Sequence, residues 1–249
     1  MRKTLLRFLA LVLIGLVAGC AAPKKQRNEG RAHYVMGVSF LEEHNATQAL
    51  KQFLLAEKAN PRDADIQAAL GQAYQLKGAY RRAEKHYLRA LELRPDDPQF
   101  ENNLGALYLD MHQWDDAIRY FRKASTNLLF GHPEIALTGM GFAYFRKGDV
   151  AKAESSYRKA ISLAPRYPLA HLRLGEVYLA RGKTDQSIDE FRQASSLAPG
   201  SPVAHYKLAL AYMKKGENKK AAAAFREVIR LAPSSEEARR SQDYLNILH

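Results

Sequence analysis

Apolar and polar residues alternate in this chain with a helical period inside short segments, and the segments recur. In the stretch 64–97, Leu70, Gly71, Tyr74, Ala83, Tyr87 and Ala90 fall three or four residues apart on either side of Gly78, and Pro95 closes the stretch. Apolar positions at that spacing predict an amphipathic helix, and two of them split by a glycine predict a helix hairpin. Gly71 and Ala83 are small where the two helices must cross, while Leu70, Tyr74 and Tyr87 fill the space between them. Such a hairpin leaves one apolar face uncovered, so it needs a copy of itself to stack on.

The copies are present at a period of 34 residues. Unit starts fall at Gly30, Ala64, Pro98, Glu134, Pro168 and Pro202, with two extra residues before the fourth. Position 8 of the units is Gly37, Gly71, Gly105, Gly141, Gly175 and Ala209, and position 24 is always Phe or Tyr (Phe53, Tyr87, Phe121, Tyr157, Phe191, Phe225). Position 27 is alanine in five units and Val228 in the sixth, and proline stands at position 32 in all but the third. This is the tetratricopeptide pattern. Between the helices, position 15 is Gly78, Gly148, Gly182 or Gly216, with His44 and His112 in the other two units, residues that tolerate a left-handed backbone. Segment 234–249 reads as a last amphipathic helix in which Ala238, Tyr244, Leu245 and Leu248 cover the open end, as a solenoid requires. The expected fold is all-α: a right-handed superhelical solenoid of six tetratricopeptide repeats (30–249) plus a C-terminal capping helix, thirteen helices in all.

Ahead of the repeats the composition changes. Arg2, Lys3 and Arg7 precede and enter the apolar run 5–17, which is too short to cross a bilayer comfortably and reads with residues 1–19 as a signal peptide. Val17-Ala18-Gly19-Cys20 resembles a bacterial lipobox, which implies acylation of Cys20, the single cysteine of the chain, and anchoring by several acyl chains. Ala21 is not aspartate, which in lipoproteins of this kind implies the outer membrane. Residues 20–30 read as the lipidated cysteine and a flexible tether. The formal charge of +12 includes those three leader cations, and without them it is +9. That balance suits an anionic surface without choosing one.

No catalytic constellation emerges. His33, His171 and His205 all occupy position 4 of a unit, a slot inside the hairpin, and read as core or half-buried residues rather than metal ligands. Asp96-Asp97 and Asp115-Asp116 stand at helix starts, where carboxylates offset the helix dipole. The glycines keep the repeat beat and form no phosphate loop. The basic runs Arg81, Arg82, Lys85, Arg89 and Lys214, Lys215, Lys219, Lys220 read as solvated faces. The chain is therefore expected to be no enzyme, to need no cofactor or metal and to bind no nucleic acid.

Binding remains. In stacked hairpins the first helix of each unit lines a groove, which here gives Gln72 and Gln75, then Asn102, Ala106 and Leu109, then Thr138, Phe142 and Phe145. Leu172, Glu176 and Leu179 follow, then Tyr206, Leu210 and Met213. Amide and hydroxyl groups flanked by apolar ones, without strong charge, suit a peptide held by its backbone with side chains on Phe142 and Phe145. The lysine, asparagine and arginine of the chaperone-tail clamp are mostly replaced by apolar residues.

The join between units three and four, Asn127-Leu-Leu-Phe-Gly-His-Pro133-Glu134, carries Leu128, Leu129 and Phe130 where a polar insertion is usual, and local packing is the simpler reading. With the lipobox, the tether, Asn102-Asn103-Leu104-Gly105 and the run 134–144, the chain resembles the type IV pilus biogenesis lipoproteins of the PilF/PilW pilotin family. That resemblance implies an outer-membrane lipoprotein, anchored through Cys20 on the periplasmic face. It further implies a partner, the pilus secretin, helped to localise and assemble. A scaffold for exopolysaccharide export or cell-wall machinery is the alternative.

Overall fold

The computed structural model describes Lys24 to Leu248, and the expected signal segment and Cys20 lie outside the described residues. All thirteen elements in that span are α-helices. They form two compact units divided between Pro95 and Asp96, each described by itself.

The first unit holds α1 (Lys24–Glu42), α2 (Ala46–Ala59), α3 (Ala64–Leu76) and α4 (Tyr80–Leu93). Helix α1 packs on α2 and α3 on α4, while α2 and, more lightly, α1 pack on α3. Links of three or four residues between packed helices make each pair an antiparallel hairpin. Asn45 and Asp63 cap α2 and α3: Asn45 Oδ1 accepts from the Gln48 amide and Asp63 Oδ1 from those of Asp65 and Ile66.

One expectation is corrected in this unit. Residues 24–30, read as tether, are the opening turns of α1. Lys, Gln, Arg and Glu are good helix formers, and the segment has a surface to rest on. Gly30 is buried, and the Asn60 amide donates to the Arg27 carbonyl at 3.1 Å.

The second unit runs α5 (Pro98–Asp110), α6 (Trp114–Thr126), α7 (Pro133–Arg146), α8 (Val150–Leu163), α9 (Pro168–Ala180), α10 (Thr184–Leu197), α11 (Pro202–Lys215), α12 (Asn218–Leu231) and α13 (Glu236–Leu248). Hairpins α5/α6, α7/α8, α9/α10 and α11/α12 stack in order, and the first helices α5, α7, α9 and α11 each touch the next in turn. Proline at the first helical position of α5, α7, α9 and α11 costs no hydrogen bond, because that amide has no partner inside the helix. Helix α13 closes the end through buried Ala238 and Leu245, and its Tyr244 ring stacks on Phe225 at 5.1 Å.

Close approach explains the fixed glycine. A Cβ on Gly71 would stand 2.7 Å from the buried Tyr87 ring, and one on Gly105 2.8 Å from that of Phe121. Phe121 is also pinned from the next repeat, where a Cβ on Gly139 would come within 2.5 Å. Each such ring is withdrawn from water almost completely, worth about 1.5–3 kcal/mol. At the hairpin turns His44 (φ 56°) and His112 (φ 57°) are left-handed like the glycines of the other units, and so is Asp96 (φ 57°) in the link ahead of α5.

Two sets of polar links were not foreseen. Position 4 pairs with position 23 across the hairpin: His33 Nδ1 with Gln52 at 2.8 Å, Gln67 with His86 at 2.8 Å, and His171 with Glu190 at 2.7 Å. In the second unit, arginines at position 25 donate to the tyrosine hydroxyl of the following repeat, Arg122 to Tyr144 at 2.8 Å and Arg158 to Tyr178 at 2.7 Å.

Candidate partner-binding groove

The groove candidates lie on the first helices, so their roles depend on what each helix buries. On α3, Gln72 is exposed, whereas Gln75 is half-buried and accepts the Tyr87 hydroxyl at 3.1 Å. Gln75 is thus partly committed to its own hairpin.

In the second unit the first helices place Asn102 on α5 and Thr138 on the adjoining α7, both at position 5. Asn102 is 9 % exposed and Thr138 3 %, and Asn102 Oδ1 and Thr138 Oγ1 have no hydrogen-bond partner in the structure. Unsatisfied buried oxygens are costly, about 1–3 kcal/mol each, and rare in folded proteins. Ala106 and Leu109 on α5, Leu172 and Leu179 on α9, and Leu210 and Met213 on α11 are half-buried, while Tyr206 is buried.

One concavity of about 420 Å³ opens between α7, α9 and α11, lined by Phe142, Phe145, Arg146, Arg173, Glu176, Leu179, Ala180 and Lys207. Four of these, Phe142, Phe145, Glu176 and Leu179, are expected groove residues, and the structure brings them together. Arg146, Arg173 and Lys207 were missed, and they correct the expectation of a weakly charged lining. Glu176 gives one oxygen to Arg173 and the other to Lys207, each at 2.8 Å. Burial disfavours its charge, yet the two cations outweigh burial and hold its carboxyl below the ordinary range. Arg146 lies over the rings of Trp114 (5.0 Å) and Phe142 (5.7 Å), and Arg173 covers Phe142 at 4.9 Å. The missed residues sit at positions 6 and 13 of their units. Arg146 and Arg173 reach the concavity along aromatic faces, and Lys207 through its ion pair with Glu176.

The other candidates resolve into structure. Asp97 caps α5, its Oδ1 accepting from the Gln99 and Phe100 amides. Asp116 pairs with Arg119, and Asp115 with Lys147. His171 and His205 direct Nε2 at the Pro165 and Pro199 carbonyls, each at 3.0 Å. Among the described residues no group of His, Cys, Asp and Glu could hold a metal ion, and no helix is long and apolar enough to cross a membrane. At the join, Phe130 is buried but Leu128 and Leu129 are 100 % and 88 % exposed, so local packing accounts for one of the three. The loop is held in shape by Asn127, whose amide donates to the Asp96 carbonyl while its oxygen accepts from the Leu129 amide.

A helix-hairpin stack with its free surface on the first helices defines a class of interaction scaffold. Models of the tetratricopeptide repeat match residues 34–98, 138–202 and 172–236, and a second model of the same repeat matches 98–166. The chain belongs to the tetratricopeptide repeat family, whose repeats are protein-interaction modules. In sequence it is 25 % identical over 180 residues to the type IV pilus assembly protein PilF of Pseudomonas aeruginosa, covering 70 % of this chain and 71 % of that one. It is also 28 % identical over 134 residues to the BBSome complex member BBS4 of Bos taurus, where the match spans only 25 % of the relative. Among solved structures it resembles Pseudomonas aeruginosa PilF, with TM-score 0.74 and 19 % identity over 88 % of this chain and 99 % of that one. PilW, a type IV pilus biogenesis factor, superposes with TM-score 0.77 and 19 % identity over 86 % of this chain and 98 % of that one.

Proposed function

We propose that the chain is a lipid-anchored scaffold of type IV pilus assembly, whose first-helix surface holds a segment of the outer-membrane secretin while that protein is localised and assembled. The reading rests above all on the sequence relation to the pilus assembly protein PilF, which spans most of both chains. The concavity lined by Phe142, Phe145 and Leu179 supports it, because it offers an open apolar surface to a partner's side chains, whereas Asn102 and Thr138 are buried. The lipobox at Cys20 supplies the anchor, and the membrane in question is the outer one, at its periplasmic face. Tethering the groove at one membrane raises the effective concentration of a partner arriving there.

The test is fractionation of the host's envelope with the gene deleted, restored, or restored as Cys20→Ser. Deletion is expected to abolish secretin multimers in the outer membrane and to remove surface pili. Cys20→Ser should release the protein from the membrane fraction. Normal secretin multimers in the deletion strain would overturn the pilus reading, and a membrane-bound Cys20→Ser protein would overturn the anchor.

A further inference from the structure

The lining of the concavity between α7, α9 and α11 selects for charge as well as shape. Three cations, Arg146, Arg173 and Lys207, face a single carboxylate, Glu176, both of whose oxygens are already occupied by Lys207 and Arg173. A cation entering here meets an excess of positive charge and no free acceptor. An anion meets Arg146, which has no carboxylate partner among the described residues, and the remaining guanidinium donors of Arg173. Beside the cations lies an apolar wall of Phe142, Phe145 and Leu179. The guanidinium carbons of Arg146 and Arg173 lie over the Phe142 ring, which holds the two side chains in place and limits the freedom they lose on forming a new pair.

We propose that this basket receives a protein segment in which an Asp or Glu side chain is followed, within one or two positions, by a large apolar side chain. The carboxylate pairs with Arg146 and Arg173, and the apolar side chain packs over Phe142, Phe145 and Leu179. A volume of about 420 Å³ accommodates two or three side chains but not a folded domain, so the occupant is a peptide stretch. Charge complementarity of this kind sets partner choice and association rate more than raw affinity. The inference rests on the groove reading and adds the chemistry of what the groove takes.

The test is selection of short random peptides, displayed as amino-terminal fusions so that no free carboxyl terminus competes. They are selected on the full chain with counter-selection against the Phe142→Ala variant. Among peptides lost on Phe142→Ala, Asp and Glu next to Leu, Ile, Phe or Trp should be enriched about threefold or more, and Arg146→Glu should weaken them roughly tenfold. Arg146 is exposed, so Arg146→Glu should keep the parent's circular dichroism and melt only a few degrees lower, through the lost ring contacts, and the same variant should gain binding to Lys-substituted forms of the peptides. Neutral or basic peptides that depend on Phe142 would overturn the acidic specificity while leaving the groove reading intact. Failure to recover any Phe142-dependent peptide would overturn both. Binding to phosphatidylglycerol vesicles that is lost in Arg146→Glu, without peptide selectivity, would assign the basket to lipid headgroups and overturn the proposal.

Discussion

Arg173 on α9 lies face-on to Phe142 on α7, with its guanidinium carbon 4.9 Å from the ring centroid, so one contact joins two successive repeats inside the candidate groove. Such a contact contributes about 0.5–1 kcal/mol where water still reaches it. A double-mutant cycle with Phe142→Leu and Arg173→Leu, read by denaturant unfolding, should therefore give a coupling of about that size. Coupling near zero would show that the two residues merely adjoin.

The close approach of Gly105 to Phe121 makes a sharper stability prediction. Gly105→Ala brings a methyl against a ring that Gly139 holds from the other side, so neither partner can move freely. Overpacking of this kind costs about 1–3 kcal/mol. Gly131→Ala, where an added Cβ meets nothing, should change melting little. Equal melting temperatures for the two variants would contradict the packing account.

The join separates into a buried and an exposed part. Phe130→Ala removes a buried ring and should cost roughly 3–5 kcal/mol. Leu128→Ser with Leu129→Ser should stay within about 0.5 kcal/mol of the parent, as surface substitutions do. A large loss on the double leucine change would mean that those side chains pack after all.

His171 carries a pH signature. Its Nδ1 faces Glu190 at 2.7 Å and its Nε2 faces a carbonyl at 3.0 Å, so two acceptors favour the doubly protonated ring. The bond to Glu190 raises its pKa above the ordinary value, against the opposing pull of burial. Folding stability from this pair is therefore present in full below the unfolded pKa near 6.5 and is lost as pH rises through the higher folded value. His86 shifts the other way because burial dominates, so the informative quantity is the difference between wild type and His171→Gln across about pH 6 to 8. That difference should shrink as pH rises. A difference independent of pH would remove the imidazolium from the account.

Much of this was legible in the sequence. Glycine at position 8 in five units, with Ala209 in the sixth, and an aromatic at position 24 in all six marked the hairpins, because a ring lying on a backbone leaves room only for a small residue opposite. Proline at the helix starts and histidine at two turns carried their own backbone preferences. Less legible were features that depend on reach. Arg146 and Arg173 are folded into the concavity by the aromatic faces beside them, and Lys207 by its ion pair with Glu176, contacts that no spacing announces. The Arg158–Tyr178 link joins residues twenty apart in different repeats, and no local pattern announces it. Residues 24–30 looked like tether because their polarity hid the one contact that matters, the surface beneath Gly30.

The most direct measurement of the central claim is site-specific photo-cross-linking in the living host, with a photoreactive residue placed at Phe142 in the basket or at exposed Ser155 on the second helix α8. The account predicts that the position 142 probe captures a discrete protein partner, identified by mass spectrometry as an envelope protein of the pilus system, and that the position 155 probe does not. Capture of the same partner through Ser155 with none through position 142 would contradict it.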